Sequence, residues 1–352
     1  MLLQPGAGPI RAATYLPSST DHVRWGRLPC AADAPVLTVD PGAEVTIDTI
    51  SHEGILEDQG RDPERFFAGH GAPGVLEDAV ALAVTDTERT PGVDGPHVVT
   101  GPVAVSGAQP GDLLAMTLVE AVPRVPYGVV SNRHGRGALP QEYPTEGEAF
   151  SVYASVDASG ERGVMAFGPD DDRQVTFPLA PFLGIMGVAT AGPERLHSVP
   201  PGVHGGNIDI SLLTAGATLY VPVQVAGALA YVGDPHFAQG DGEVALTAME
   251  ASLRATVRFD VIAAEEGAAR FGDLVAPVAE TSEFLIPTGL DEDLDEAMRN
   301  CVRAAIGLIV ARYGMDPRHA YAYLSAATDF NISQVVDVVK GVHARVRKAD
   351  FA

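Results

Sequence analysis

Short stretches in which apolar and polar positions alternate recur through the first two thirds of the chain and predict β-strands. The stretch from Val36 to Ile50 alternates and is interrupted by a hairpin-like Asp-Pro-Gly turn at residues 40–42. The stretch from Val98 to Val122 repeats the arrangement, with a turn at residues 109–112. This punctuation indicates many short strands joined by tight turns.

Two later stretches predict where their strands lie in a sheet. Residues 219–225 alternate, but Pro222 has no N–H to donate to a neighbouring strand, so an edge or bulged position is expected. Residues 253–261 alternate between apolar side chains and charged or hydroxyl side chains. That pattern predicts a half-solvated antiparallel strand.

The spacing of apolar positions changes to three or four residues between Leu294 and Tyr313 and predicts a helix. Acidic residues precede it and Gly314 follows it, which are start and stop signals. Asp316, followed by a proline, predicts the N-cap of a second helix that ends near Ala327. Residues 335–346 fit either a helix or a strand.

These patterns predict an α+β, β-rich fold with helices near the C-terminus. We expect one unit over residues 1–352, with a β-rich core over 20–265 that carries the functional site. Residues 290–350 form a C-terminal helical or α+β segment in this interpretation. No internal repeat is found in the sequence.

Composition supports a folded chain and disfavours two classes of partner. Hydrophobic residues make up 46% of the 352 residues, which is ample for a packed core. The formal net charge is −23, so the chain repels phosphate backbones and anionic lipid. We therefore expect no nucleic-acid and no membrane partner. Solubility explains the charge better than attraction of cationic ligands.

The cysteines and the N-terminal residues bear on the cell compartment. Cys30 and Cys301 are far apart and form no CxxC pair, which disfavours a disulfide scaffold and a zinc ribbon. Residues 1–14 contain no apolar signal-peptide core, and no apolar run reaches the length of a membrane span. The expected location is cytoplasmic.

The densest polar cluster lies in two glycine-flanked segments, residues 203–209 and 233–243. Glycine lets a backbone turn tightly and approach a ligand closely. Carboxylates and imidazoles are the usual ligands of zinc and related divalent ions. The candidate ligands and acid–base groups of the two segments are His204, Asn207, Asp209, Asp234, His236, Gln239, Asp241 and Glu243.

The spacing within these segments favours one metal site. Asp234 and His236 are two residues apart, so on a strand both side chains project to one face and can contact the same ion. Asp209 can approach that ion from another strand. Glu243 can supply a further ligand or a general base. A purely structural role in turns is the better interpretation for any one of these residues, but not for the cluster.

The remaining histidines are weaker candidates. His52 is either a metal ligand or a surface residue, with equal support. His22, beside the only tryptophan, is a candidate pocket residue, and His134 lies in an Arg/His-rich loop that is either a lid or a plain solvated loop. Other histidines next to glycine or proline turns are expected to be inert, namely His70, His97 and His197. Motifs for serine hydrolases, P-loops and Rossmann folds are absent from the sequence.

At these residues the chain resembles the acetamidase/formamidase family. The resemblance rests on residues 100–112, 205–209, 221–228 and 233–243, and it extends from about Pro35 to Val346. The Gly-Asp-x-His-x-x-Gln-Gly-Asp-Gly-Glu stretch at 233–243 is its most specific part. The chain departs from the family at Pro235, in residues 51–67, and in lacking the long insertions of the larger formamidases.

The resemblance implies a β-sandwich-like core, a homo-oligomer (dimer or larger) and a divalent metal, often zinc. It also implies hydrolysis of small linear amides such as formamide or acetamide to a carboxylate and ammonia. Six residues fall on the shared motifs: Asn207, Asp209, Asp234, His236, Gln239 and Glu243.

We therefore hypothesise that Asp209, Asp234 and His236 hold a divalent metal, zinc with calcium as the alternative, and that His52 is a further candidate ligand. Glu243 would transfer the proton from water to the leaving nitrogen, while Asn207 and Gln239 would orient the amide. Three alternatives stay open: a non-catalytic metal- or small-ligand-binding β protein, a structural oligomer subunit, and an amidohydrolase of a different amide-like substrate.

Overall fold

The computed structural model describes residues 2–85, 89–169 and 171–351. These residues form twenty strands, which belong to two large sheets. In chain order the strands are β1 (Thr14–Leu16), β2 (Val23–Trp25), β3 (Leu37–Val39), β4 (Ala43–Asp48), β5 (Val98–Val105), β6 (Leu113–Pro123), β7 (Tyr127–Arg133), β8 (Ala149–Val156), β9 (Arg162–Ala166), β10 (Gln174–Pro178), β11 (Phe182–Val188), β12 (Gly205–Asn207), β13 (Thr218–Pro222), β14 (Ala230–Ala238), β15 (Met249–Glu250), β16 (Leu253–Ile262), β17 (Val278–Glu280), β18 (Phe284–Asp291), β19 (Asp329–Gln334) and β20 (Lys340–Arg347).

The helices are fewer and cover less of the chain. Two short 3₁₀ turns at Glu57–Gln59 and Lys348–Phe351 accompany them. The α-helices are α1 (Pro63–Ala68), α2 (Glu77–Val84), α3 (Ala264–Phe271), α4 (Leu294–Tyr313) and α5 (Pro317–Ala327).

The two sheets pack face to face as a sandwich. One sheet has nine strands in the order β1-β4-β16-β6-β13-β17-β18-β20-β19. The other follows β10-β9-β8-β7-β15-β14-β11-β12, and β5 joins it by pairing with β14, β2 and β3. Their facing side chains form the largest buried cluster, which includes Val257 and Met116 from the first sheet and Val232 and Met186 from the second. The predicted α+β, β-rich fold with a sandwich-like core is confirmed.

Helices α3, α4 and α5 cover the other face of the nine-stranded sheet. Cys301 and Leu308 of α4 and Leu324 of α5 are buried against sheet residues such as Leu285 and Leu113. The last four strands extend the same sheet through the β13–β17 pairing. The segment predicted at 290–350 is therefore packed onto the β-rich core.

The two predicted turns connect the sheets instead of forming hairpins. Strand β3 pairs with β5 in the eleven-stranded sheet, whereas β4 pairs with β1 and β16 in the other. Likewise β5 and β6 lie in different sheets. The hairpin-like interpretation of residues 40–42 is wrong because alternation locates strands but does not determine their partners.

Two strand positions also differ from the expectation. Strand β13 lies between β6 and β17 inside the sheet, so the edge prediction is wrong. Its proline is tolerated because Pro222 ends the strand, beyond the residues paired with β17. Strand β16 is antiparallel as predicted, but it is more buried than expected, since Arg254 forms a buried ion pair with Asp48.

The two C-terminal helices begin and end where the sequence predicts. The Asp293 side chain accepts the N–H of Glu296 at the start of α4, and Gly314 at its end has a φ of 67°, in the left-handed region. The Asp316 side chain caps α5 through the N–H of Arg318. The ambiguous residues 335–346 resolve into a turn and strand β20.

Candidate active site

Three of the predicted ligands and two of the predicted catalytic residues come together at one end of the eleven-stranded sheet. Strand β14 carries Asp234 and His236, and the short strand β12 ends at Asn207. Asp209 follows β12, and Glu243 follows β14 in a loop. Strand β11 pairs with both β12 and β14, which places the two segments side by side. All five side chains are buried.

Four further groups arrive from distant parts of the chain. His52 follows strand β4, and His97 immediately precedes β5. Glu250 ends strand β15, beside β14. Asp337 lies in the turn between β19 and β20. The expectation that His97 is inert is wrong, since it is buried among the candidate ligands.

His236 lies at the centre of the cluster. Its Nε2 is 3.0 Å from Glu250 Oε1 and 3.2 Å from Asp234 Oδ2. Its Nδ1 is 3.9 Å from Asp209 Oδ1. Burial disfavours the charged ring, but Glu250 and Asp234 outweigh that effect and raise the pKa of His236 well above its ordinary value.

His52 and His97 form the opposite wall. Their rings meet edge to face with centroids 5.3 Å apart. Nδ1 of His52 is 3.6 Å from Asp234 Oδ1, and Nε2 of His97 is 3.9 Å from the same atom. Burial lowers the pKa of His97 to about 4, so its ring is neutral and able to ligate a metal at neutral pH.

Glu53 lies behind His52. Its Oε1 is 3.4 Å from His52 Nε2, and its Oε2 accepts hydrogen bonds from Ser131 Oγ, at 2.6 Å, and from Gln59 Nε2. Against the effect of burial, the neighbouring His52 and Arg133 lower the pKa of Glu53 to about 2. This carboxylate fixes the orientation of the imidazole and directs His52 Nδ1 toward Asp234.

The backbone at three of the acids is in the left-handed region. The φ angles are 46° at Asp209, 50° at Asp234 and 47° at Glu243. Such angles are uncommon outside glycine and cost free energy, which the surrounding structure must supply. Their concentration in one cluster indicates that the carboxylates are held in place for a function.

Gly184 on β11 allows the cluster to form. A Cβ at this position would overlap Asp209 Oδ1, His236 Cε1 and Asp234 Oδ2. Only a residue without a side chain leaves space for three candidate ligands at this point of the strand. The sequence signal was a pair of glycines, Gly184 and Gly187, within an otherwise apolar run at residues 182–188.

Three acids of the cluster resist ionisation, whereas the histidines around Asp234 lower the pKa of that carboxyl against the effect of burial. Burial, followed by the charge of Asp337, raises the pKa of Glu243 well above its ordinary value. Burial and the charge of Glu243 do the same for Asp209. Burial raises the pKa of Asp337 to about 8. In this part of the chain the carboxylates outnumber the cations that could neutralise them.

Several buried polar atoms of the cluster have no hydrogen-bond partner within the described residues. This is costly unless another group satisfies them. The unpaired atoms are His52 Nδ1, Asn207 Oδ1, Asp209 Oδ1, Asp234 Oδ1, Glu250 Oε2 and Asp337 Oδ2. A cation among them would supply the missing positive charge and a partner for the unpaired atoms, so the donor set fits a divalent metal.

Three overlapping groups of side chains could hold such an ion. In each, one donor atom per residue lies within 4.8 Å of the others, and all of the residues are buried. The groups are His52, His97 and Asp234; Asp209, His236 and Glu243; and Asp234, His236 and Glu250.

A cavity of about 330 Å³ opens onto these donors. Its inner wall includes His52, Asn207, Asp234 and Glu243, and its outer wall includes Arg136. Its volume lies at the lower end of the range for small-molecule sites. The cluster is therefore within reach of a small ligand.

Gln239 occupies a different place from the other predicted catalytic residues. Its Oε1 is 3.1 Å from His236 Nδ1, and its Nε2 donates to the carbonyl oxygens of Asp209, at 2.8 Å, and Ser333, at 3.2 Å. Both ends of the amide are thus engaged within the protein. The contacts favour a role in orienting His236 over the predicted contact with a substrate.

The other histidines singled out in the sequence lie apart from the metal-ligand groups described above. His22 Nδ1 is 3.1 Å from the carbonyl oxygen of Pro17, and His134 is exposed. His204 is buried, and burial lowers its pKa to about 4. His197 lies on the outer wall of the cavity.

Comparison with known proteins identifies the family. The model of the Acetamidase/Formamidase family matches residues 83–197 and 189–346, and the chain belongs to this family. The chain is 29% identical over 199 residues to an acetamidase of Mycolicibacterium smegmatis, which is 42% of this chain and 49% of that protein. It is 25% identical over 303 residues to a formamidase of Methylophilus methylotrophus, covering 69% and 74%. The first match thus spans about half the length of the acetamidase.

The fold is shared with solved structures. A predicted acetamidase/formamidase of Thermoanaerobacter tengcongensis superposes with a TM-score of 0.74 at 24% identity, over 96% of each chain. The acetamidase of Bacillus halodurans gives a TM-score of 0.73 at 22% identity, covering 96% of this chain and 98% of that one. Among the described residues, no helix combines the length and apolar character needed to cross a bilayer.

Proposed function

We propose that the protein hydrolyses a small linear amide to a carboxylate and ammonia and that it requires a divalent metal. One observation carries the proposal: buried carboxylates and histidines with unpaired atoms line a cavity of small-molecule size. The family membership and the names of the acetamidase and formamidase relatives support the same reaction.

The candidate metal ligands are Asp209, Asp234, His236 and His52, to which the structure adds Glu250 and His97. Mixed imidazole and carboxylate donors suit zinc or a related transition ion better than calcium, which prefers oxygen ligands alone. When bound, such an ion supplies Lewis-acid polarisation and a lowered pKa for water.

Glu243 is the proposed proton carrier. Burial beside Asp337 raises its pKa, so the carboxylate is a stronger base than an exposed glutamate. It would accept the proton of the attacking water and donate it to the amide nitrogen, which must be protonated before ammonia leaves.

Asn207 is the proposed amide-binding residue. Its side chain lines the cavity, and its Oδ1 has no hydrogen-bond partner among the described residues. A carboxamide oxygen in that position can accept an N–H of a substrate amide. Gln239 contributes by holding His236 and the backbone of Asp209 in place.

The test is ammonia release from formamide, acetamide and larger amides before chelation, after chelation and after metal is restored. We expect release that chelation abolishes and metal restores, with zinc found by elemental analysis. Release that chelation leaves unchanged would remove the metal from the mechanism. Metal retention without ammonia from any amide would favour the non-catalytic binding protein.

We also propose a homo-oligomer in the cytoplasm that binds neither nucleic acid nor membrane. Exposed apolar side chains toward one edge of the eleven-stranded sheet, Val175 on the edge strand β10 and Phe150 on β8, two strands away, support a subunit contact. The net charge of −23 supports the absence of the two anionic partners. Sedimentation equilibrium would give the subunit number.

A further inference from the structure

The cavity that leads to the metal ligands is larger than a two-carbon amide requires. Its volume is about 330 Å³. Since one water occupies about 30 Å³ of liquid, acetamide with its four non-hydrogen atoms needs on the order of 100 Å³. The excess space lies between the buried donors and the exposed residues of the lining.

Apolar side chains border the cavity between these two ends. Leu56 and Val199 are buried there, and Leu246 and Val336 are partly buried. Such a wall suits the methylene groups of an acyl chain longer than that of acetamide.

At the mouth of the cavity, where the exposed lining residues lie, the charged side chains form ion pairs with one exception. Glu57 binds Arg89 with an oxygen–nitrogen distance of 2.6 Å, and Asp58 binds Arg133 at 2.5 Å. Asp94, also in the lining, is 2.5 Å from Arg27. Each acid of the mouth is therefore already neutralised by an arginine.

Arg136 is the exception. Its side chain is exposed, and none of the described residues supplies it with a carboxylate at ion-pair distance or a side-chain hydrogen bond. The nearby His197 carries little charge, because burial and the charge of Arg27 lower its pKa. Among the described residues that line the cavity, Arg136 is the one arginine without a carboxylate partner, since Arg89 and Arg133 are paired. Planar N–H groups in this state are suited to bind a carboxylate.

We infer that the preferred substrate is the monoamide of a short dicarboxylic acid, with its amide at the metal ligands and its free carboxylate on Arg136. This deepens the proposed amidase function and rests on it. Arg136 is then a specificity-determining residue, which selects an anionic amide over the neutral amide of equal length.

The experiment compares succinamate with butyramide, its uncharged counterpart, in the metal-loaded protein. We expect a higher kcat/KM for succinamate, and we expect Arg136→Ala to lower that value by about 10-fold or more while leaving butyramide within about 2-fold, since one charge-assisted contact is lost. Arg136→Lys should restore part of the loss. Arg318→Ala, an equal charge change at an exposed position of α5, should alter neither.

Binding of the product succinate, followed by calorimetry, gives a second measurement that does not require turnover. We expect Arg136→Ala to weaken it by a similar factor, and the weakening to shrink at high salt. Turnover of butyramide with no preference for succinamate, or equal effects of Arg136→Ala on both substrates, would overturn the inference and leave the amidase proposal standing. Absence of ammonia from every amide would overturn both.

Discussion

Two of the clusters in which the described part of the chain buries charged side chains are organised in opposite ways. In the first, Arg124 and Arg254 face Asp48 and Asp78. Arg124 binds Asp78 at 2.8 Å, and Arg254 binds both oxygens of Asp48 at 2.7 and 3.0 Å. Two positive charges meet two negative ones, and backbone carbonyls take most of the remaining N–H groups.

The second place is the candidate active site. Five buried carboxylates face three histidines, one of which is neutral, and unpaired atoms remain on most of them. Burial alone does not distinguish the two clusters. The distinction is charge compensation: the structural ion cluster balances its charges within the described part of the chain, with Arg124 Nη2 as its one atom lacking a hydrogen bond, whereas the candidate active site leaves charge and hydrogen-bonding capacity for something that binds.

The largest expected effect is on turnover. Glu243→Gln should lower kcat by roughly 10²–10⁴-fold with metal still bound, because the proton carrier is lost and a similar shape is kept. Metal-free Glu243→Gln should be no less stable than the metal-free parent, since it removes an uncompensated buried acid. Initial rates, metal content and urea unfolding measure the three quantities.

The matched control is Glu296→Gln on the exposed side of α4, which makes the same chemical change outside the cluster. It should leave kcat unchanged. Parent-like turnover in Glu243→Gln would remove Glu243 from the mechanism.

In the compensated cluster the same kind of change should act on stability instead. Asp78→Asn leaves Arg124 without its 2.8 Å partner and should lower the free energy of unfolding by about 3–5 kcal/mol. Metal content per folded molecule should stay at the parent level. Denaturant unfolding and elemental analysis check both, and a loss of metal without a loss of stability would contradict the contrast between the clusters.

Loss of the carboxylate that supports His52 should have an effect of intermediate size. Glu53→Gln removes the negative charge beside His52 Nε2 and should weaken metal affinity by about 10–100-fold. Competition with a chelator of known affinity measures this directly. Unchanged affinity would show that His52 is not a ligand or does not need Glu53.

An ion cluster in which the arginine side chains are partly exposed should give the smallest effect. Arg195 lies 2.7 Å from Asp33 and Arg24 lies 3.4 Å from it, and against burial these arginines lower the pKa of Asp33 to about 2. Asp33→Asn should cost about 1 kcal/mol at pH 7, because solvent screens the pairs. A carboxyl whose pKa is lowered by folding stabilises the folded state at pH values above its unfolded pKa, which is near 3.8. The cost of Asp33→Asn should therefore disappear as the pH falls toward 2. Unfolding of both proteins across that range tests the sign.

The sequence predicted those residues of the site that stand close together along the chain. Asn207, Asp209, Asp234, His236 and Glu243 stand in two short glycine-flanked segments, and neighbouring strands bring those segments together. Alternation along a strand is a local property, so the shared face of Asp234 and His236 could be predicted from their spacing. The C-terminal helices were predictable for the same reason.

The other residues of the site are positioned by the order of the strands, which no local sequence pattern encodes. Glu250 reaches His236 only because β15 pairs with β14, and His97 arrives at the start of β5, which also pairs with β14. Glu250 follows an apolar stretch and resembles an ordinary strand end. The wrong hairpin interpretation of residues 40–42 has the same cause, since a turn of three residues can connect strands of two sheets as well as two neighbouring strands of one sheet.

The position of Asp337 has a consequence for how the protein matures. The loop of Glu243 is held by hydrogen bonds of Gly242 with Ser333 of β19 and with Val335 just after it, and Asp337 follows that strand. A ribosome releases β14 and β15 well before α4, α5 and β19, because synthesis proceeds from the N-terminus. During that interval the cavity lacks the part of its wall that Val336 and Asp337 supply. The proposed active site is therefore completed late in biogenesis, after the C-terminal strands have docked.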